Sequence, residues 1–184
     1  MINHIDVSTV LRRTVCDLYS DLVTRPTGAA VRTGIEQQLA EMGERTLTII
    51  DFSRVGLLDF SCADEIVAKL LLRYCVDCPP REAYFLFRGV NESHLDAIET
   101  VLERQGLAIV AETLDGSTML VGTLEERERQ AWEVMCRLGR AEPADLAREA
   151  GIEATQSEAV LDSLCKRRLV MRLEGSYVAV GAVT

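Results

Sequence analysis

Along the first 122 residues the spacing of apolar side chains changes repeatedly between a strand-like and a helix-like period. The runs TLTIIDF (46–52) and AYFLFRGV (83–90) are largely apolar and rich in β-branched or aromatic residues, which is typical of buried strands. NESHLDAIETVLERQG (91–106) predicts a helix capped by Asn91 and ended by Gly106. This alternation predicts an α/β fold, in which helices are layered on a sheet.

Neighbouring segments extend the pattern. VCDLYSDLV (15–23) predicts a strand or a pair of strands, and Pro26 opens a predicted helix. LAIVAET (107–113) and STMLVG (117–122) predict two closing strands joined by a turn at LDGS. We therefore expect residues 1–122 to form one domain.

Beyond residue 122 the predicted order changes to three helices and a hairpin. TLEE, which starts at Thr123, has the spacing of a capping box, and the third helix is predicted to begin at Thr155. PADLAREAG (143–151) predicts a short second helix with proline at its start and glycine at its end. Since no Gly/Ser-rich linker precedes this region, we predict a second domain, residues 123–184, rigidly or semi-rigidly coupled to the first.

The composition limits the classes of partner. The formal net charge is −9 and the isoelectric point lies near 4.8. Nucleic-acid affinity rests largely on clustered Lys and Arg, so any contact with DNA must be local. The N-terminal stretch MINHIDVSTVLRR lacks the order of a secretion signal, and no apolar stretch is long enough to cross a bilayer. We expect a cytoplasmic protein with no membrane contact.

Residues that support catalysis or metal binding are sparse. The sequence has no glycine-rich phosphate loop and no nucleophile paired with a base, and His94 is predicted to face solvent in the first turn of its helix. Cys75 and Cys78 form a CxxC pair that lacks the second ligand pair of a structural zinc site. We predict no enzyme activity, no cofactor and no metal, with metal or redox chemistry at the CxxC pair as a minor alternative.

The stretch VGLLDFSCADEIVAKL (55–70) joins an apolar strand, an acidic turn and an amphipathic helix. Ser61 at the junction has two interpretations, a helix N-cap or a phosphorylation site. Ser-x-x-Asp resembles a capping box, and an N-cap serine contributes about 1 kcal/mol. For Asp59, Asp64 and Glu65, first-turn acids that complement the helix dipole are favoured over paired catalytic carboxylates.

The longer stretch LTIIDFSRVGLLDFSCADEIVAKLLLRY (47–74) resembles the STAS domains, the anti-sigma-factor-antagonist family. The resemblance covers about residues 10–122 and implies a mixed sheet with helices that presents this turn to a protein partner, such as an ATPase-like serine kinase or an anti-sigma factor. In phosphorylated members the acceptor serine lies two residues after an aspartate, which makes Ser61 the implied candidate phosphoacceptor. The implied docking residues are Asp59, Phe60, Ser61, Asp64 and Glu65.

The C-terminal third, from PADLAREAG to YVAVG (143–181), resembles the winged helix-turn-helix domains of bacterial regulators. The resemblance implies a small α+β unit whose hairpin turns at Glu174 and Gly175. The outward positions of its third helix hold Glu158, Ala159, Asp162 and Ser163, and anionic side chains there repel phosphate. A small basic cluster near the wing provides the candidate nucleic-acid-binding residues, Lys166, Arg167, Arg168 and Arg172.

Two function classes follow from these patterns. The favoured one is a bacterial regulatory adaptor that docks protein partners through the STAS-like surface, switched by phosphorylation or by partner occupancy, with a winged helix used for protein interaction. The alternative is a transcriptional regulator whose winged helix binds DNA under control of the STAS-like domain. The sequence leaves homodimer formation open.

Overall fold

The computed structural model describes residues 2–75 and 79–182 of the chain. These residues form a mixed α/β architecture with a five-stranded sheet and a smaller three-stranded sheet near the C-terminus. This observation confirms the predicted α/β class and its mixed sheet. Cys78 lies outside the described residues, so the alternative of metal or redox chemistry at the CxxC pair stays a prediction.

The large sheet follows the order of the chain. Its strands are β1 (Ile2–Asp6), β2 (Arg45–Asp51), β3 (Glu82–Val90), β4 (Ala108–Thr113) and β5 (Thr118–Gly122). The first four strands are parallel and need helical crossovers, whereas β5 runs antiparallel to β4 and needs only a tight turn.

Helices cover one face of this sheet. They are α1 (Val7–Thr14), α2 (Arg25–Glu41), the central helix described next, and α5 (Glu92–Gln105). The central helix runs without a break through α3 (Phe60–Ala63), a π-helical stretch (Asp64–Lys69) and α4 (Leu70–Tyr74). Phe85 and Phe87 of β3 point to this side and belong to its apolar cluster. None of the described helices is long and apolar enough to cross a membrane.

The C-terminal elements cover the opposite face. They are α6 (Glu126–Leu138), β6 (Arg140–Ala141), α7 (Pro143–Ala150), α8 (Ala154–Lys166), β7 (Val170–Leu173) and β8 (Ser176–Ala179), with the strands in the order β6-β8-β7. Trp132, Met135 and Leu164 from these elements share one apolar cluster with Tyr84 and Leu86 of β3. The sheet is therefore buried on both faces, which explains why its central strands are apolar almost throughout.

The chain before α2 differs from the prediction. Residues 15–23, predicted as a strand or strand pair, are irregular apart from a single bridge between Leu22 and Leu58. The edge strand is instead β1, and α1 follows it directly with Asp6 as its N-cap. Only Ile5 of β1 is buried, so this edge strand lacks the apolar run by which β2 and β3 are recognised.

Two helix starts in the C-terminal region also differ. α6 begins after Glu125, whose capping box is completed by Glu128, and Thr123 lies outside the helix. α8 begins after Glu153 and not at Thr155. In both cases a nearby glutamate takes the N-cap position, although serine and threonine are the commoner caps.

Candidate functional site

The turn that follows β2 and leads into the central helix packs beside the irregular segment of the chain. Backbone N–H groups join the two: Leu22 donates to Leu57 (2.8 Å), Gly56 donates to Ser20 (2.9 Å), and Asp59 donates to Leu22 (2.8 Å). We call these two segments, residues 15–24 and 55–61, the platform. Because these backbone hydrogen bonds fix the two segments to each other, the platform is one continuous surface and not two independent loops.

Asp59, and not Ser61, caps the central helix. Its carboxylate accepts the backbone N–H of Cys62 (2.8 Å), and the Ser61 hydroxyl donates to both carboxylate oxygens (2.8 and 3.0 Å). The prediction that Ser61 is the cap is wrong, because the carboxylate of Asp59 already takes the free N–H of the first turn. Burial alone would raise the pKa of Asp59, but these hydrogen bonds outweigh burial and lower that pKa.

Exposed apolar side chains surround this cap. Leu57 and Phe60 are 56% and 54% exposed, and Leu18, Tyr19 and Val23 are 90%, 52% and 48% exposed. A cavity of about 390 Å³ lies along the segment 18–27. Single exposed apolar residues are ordinary, but several on one platform form a patch of the kind that proteins use to bind each other. The members from 18 to 23 were not predicted as part of a surface, because the pattern of residues 15–23 indicates a strand.

The two acids of the predicted docking set that follow the cap are held by cations. Arg25 Nη1 lies 2.6 Å from Asp64 Oδ2 and 2.8 Å from Glu65 Oε1. Arg32 Nε lies 3.3 Å from Glu65 Oε2, and Lys69 also donates to Glu65. The Glu65 side chain is only 3% exposed, so it joins α2 to the central helix and offers little surface to a partner. Asp64, at 23%, stays within reach of one.

His94 is buried, which corrects the prediction that it faces solvent. Its Nε2 lies 2.9 Å from the carbonyl oxygen of Gly56, and the N–H of Asn91 donates to Nδ1 (3.4 Å). A carbonyl only accepts, so Nε2 is the donor toward Gly56 and Nδ1 is the acceptor from Asn91. His94 therefore anchors the platform to the first turn of α5, a role that its position in the sequence did not indicate.

Two of the predicted nucleic-acid-binding residues contact the α/β layers. Arg168 Nε donates to the carbonyl of Tyr74 at the end of the central helix (2.9 Å), and its guanidinium lies 5.5 Å from the ring centroid of Tyr84. Arg167 donates to the carbonyl of Thr123. Arg168 also adopts a left-handed backbone, with φ of 63°, which is uncommon outside glycine. The Arg168 guanidinium joins the C-terminal elements to the α/β layers, and that of Arg167 contacts the residue that follows β5.

The other two, Lys166 and Arg172, remain exposed. The Arg172 guanidinium lies 5.7 Å from the ring centroid of Tyr177, whose hydroxyl lies 3.5 Å from Asp162. The structure therefore separates the four predicted cations into a pair on the surface, beside an acid of α8, and a pair directed inward.

No protein-family model matches the chain, and no curated protein matches it. The platform, the ion pairs beneath it and the contacts of the C-terminal cations are therefore the observations on which a function for this chain rests.

Two further features of the described residues concern metal-ligating groups and the pKa values of two cysteine thiols. Among residues 2–75 and 79–182 no three His, Cys, Asp or Glu side chains are grouped so that they could hold a metal ion. Burial raises the pKa of Cys75 to about 11 and is the main reason that the pKa of Cys62 rises to about 12. Both thiols are protonated at neutral pH, and the thiol is far less nucleophilic than the thiolate.

Proposed function

We propose that this chain is a regulatory adaptor without enzyme activity, which binds a protein partner through the platform and the first turn of the central helix. The mixed sheet with one helical layer supports a STAS-like unit. The order helix, helix, helix, hairpin over residues 126–179 supports a winged-helix unit. In this proposal the C-terminal unit serves protein interaction.

The observation that carries the proposal is the exposed apolar patch around a well-ordered helix cap. Leu57 and Phe60 lie on either side of Asp59, and each is more than half exposed. Interfaces are enriched in aromatic and other large apolar side chains that close contact removes from water. Since His94 and the backbone of residues 20–22 hold the platform in place, binding would require little ordering of the chain.

The chemistry of the patch indicates the chemistry of the partner. Asp17 is exposed next to the apolar residues, and Asp59 lies in their midst. A complementary surface has an apolar ridge flanked by Lys or Arg. An ATPase-like serine kinase or an anti-sigma factor is the partner class that the STAS resemblance implies.

Phosphorylation of Ser61 would act on the same place. The hydroxyl donates to Asp59, so a phosphate would bring a charge of about −1.5 to −2 against that carboxylate. The Ser61 side chain would have to turn away from Asp59, and the platform would become more acidic. This repulsion supports partner switching, in which the phosphorylated and free forms bind different proteins.

The inward direction of Arg167 and Arg168 favours protein interaction over the alternative of a DNA-binding regulator. Glu158 and Asp162 are exposed on α8, the helix that would enter a DNA groove. Lys166 and Arg172 are then the remaining exposed members of the predicted cluster, and two cations give little phosphate neutralisation.

A binding experiment with the full chain as bait tests the docking proposal. The double variant Leu57→Ser/Phe60→Ser is expected to fold normally, because both side chains are largely in water, and to lose its partner by at least about tenfold. Quantitative mass spectrometry of proteins captured from cells of the source measures the loss. The matched control is Leu114→Ser, which changes a 68% exposed leucine in the β4–β5 turn.

Equal capture by the double variant and by the control would contradict docking at the platform. Ser61→Asp belongs in the same assay. A phosphorylation switch predicts that this variant loses or exchanges the partner, whereas unchanged capture would exclude the switch and leave the docking surface in place.

A gel shift separates the two function classes. The wild-type chain is expected to give no retardation of genomic fragments at low salt, because the acidic chain leaves few free cations near the wing. Retardation that weakens with salt and disappears in Lys166→Ala/Arg172→Ala would instead establish the transcriptional regulator.

A further inference from the structure

A second cavity lies in the C-terminal unit, away from the platform. It has a volume of about 300 Å³ and opens between α6, α8 and the turn that follows α7. Its walls are mainly apolar. The small side chains of Ala131, Ala150 and Ala159 leave the space, and Ile152 and Val160 line it. A cavity of this size is at the lower end of the range that small organic ligands occupy.

One buried carboxylate, that of Glu128, forms part of the wall. The Glu128 side chain is 6% exposed, and its Oε1 accepts the hydroxyl of Ser163 (2.6 Å). Its Oε2 accepts the N–H of Glu125 (3.1 Å) and lies 3.5 Å from Arg167 Nη1. The carboxylate is thereby fixed in one orientation, and Oε1 keeps an unused lone pair for a further donor.

The charge around the cavity favours a cation. Glu125 and Arg127 in the wall are both exposed, and their opposite charges offset each other. Arg167 offsets Glu128 only in part, because its Nη1 lies 3.5 Å from Oε2, farther than in a direct hydrogen bond, and Arg167 does not line the cavity.

We propose that this cavity binds a small organic cation that has an apolar, flat body and one ammonium group. The body would lie among the alanines and Val160, and the ammonium would donate to Glu128. The residues that carry this inference are distinct from the platform, so it stands independently of the docking proposal.

Three indole compounds of nearly equal shape test the charge preference on the full chain. Tryptamine carries an ammonium group, tryptophol a hydroxyl group and indole acetate a carboxylate. Amide chemical shifts in a titration followed by NMR give the dissociation constants and locate the site. We expect tryptamine to bind at least about tenfold more tightly than the other two, with shifts in α6 and α8, because a charge-assisted hydrogen bond is the stronger kind.

Two variants and a control make the test specific. Ala159→Phe, at an exposed position, fills the cavity and is expected to abolish binding without unfolding the chain. Glu128→Gln is expected to remove the preference for tryptamine. The control is Glu158→Gln, which removes an exposed carboxylate of α8. Glu158 does not line the cavity, so this variant should keep the preference for tryptamine.

Equal affinities for the three compounds would overturn the proposal, as would binding that survives Ala159→Phe. Absence of any shift at millimolar tryptamine would also overturn it, and would leave a larger occupant, such as a helix of another protein, for this cavity.

Discussion

Leu86→Ala is expected to lower the free energy of unfolding by about 2–5 kcal/mol, the range measured for removing a buried leucine. Leu86 is fully buried at the centre of β3, the middle strand of the large sheet. Its side chain lies in the apolar cluster that the sheet shares with the C-terminal elements. The substitution leaves a cavity at the contact between the two parts of the chain, so both parts should lose stability together.

Urea unfolding followed by two signals checks this expectation. Far-UV circular dichroism reports the whole chain, and the fluorescence of Trp132, the sole tryptophan, reports the C-terminal side of the same cluster. In Leu86→Ala both midpoints should shift to a lower urea concentration together. A fluorescence midpoint that stays at the wild-type value while the circular dichroism midpoint falls would contradict the shared core. The control Leu114→Ala, at a largely exposed site, should change stability by no more than about 0.5 kcal/mol.

The central strands and α5 could be predicted from the sequence because each carries a strong local signal. β2 and β3 are largely apolar and rich in β-branched or aromatic residues, and α5 has Asn91 as its cap and Gly106 in the left-handed conformation at its end, as predicted. Strands that are apolar on both sides must also be packed against other elements on both faces of the sheet. Their sequence does not show which segment of the chain packs on the second face, and here residues beyond 125 do so.

The platform could not be predicted because non-local hydrogen bonds build it. Residues 15–24 have no regular structure of their own and are held by backbone groups more than 30 positions along the chain. The apolar residues of this segment resembled a strand in composition, and only the contact with the turn before the central helix places them on the surface.

The identity of the cap was ambiguous for a different reason. Asp59 and Ser61 are both good N-cap residues and lie two positions apart, so their spacing cannot choose between them. The helix starts two residues earlier than a Ser61 cap would allow, and the serine is left to donate to the aspartate. Burial of His94 and the inward direction of Arg168 likewise depend on partners distant in sequence.

One helix connects the two regions for which functions are proposed. The central helix begins at Asp59 in the platform and ends at Tyr74, whose carbonyl accepts Arg168 of the C-terminal unit. Its middle is π-helical, and such stretches are rare and often occur at functional sites.

Glu65→Gln is expected to lower the free energy of unfolding by about 1–3 kcal/mol at neutral pH. The change keeps the shape of the side chain and removes the anion between Arg25, Arg32 and Lys69. Breaking a fully buried pair costs about 3–5 kcal/mol, but these cations are 25–52% exposed and can regain water, which reduces the loss. The matched control is Glu99→Gln, the same change at an exposed position of α5.

The pH dependence distinguishes an ion-pair effect from a packing effect. Burial alone would raise the pKa of Glu65, but Lys69, Arg25 and Arg32 together lower it below the ordinary value of 4.5. Its stabilisation is therefore complete above that value and is lost as the pH falls through the lower pKa of the folded state. In urea unfolding across the acid range, wild type and Glu65→Gln should differ most at neutral pH and converge at acid pH. A difference that stays constant over this range would show that the variant disturbs packing, and that the ion pairs between α2 and the central helix contribute nothing measurable.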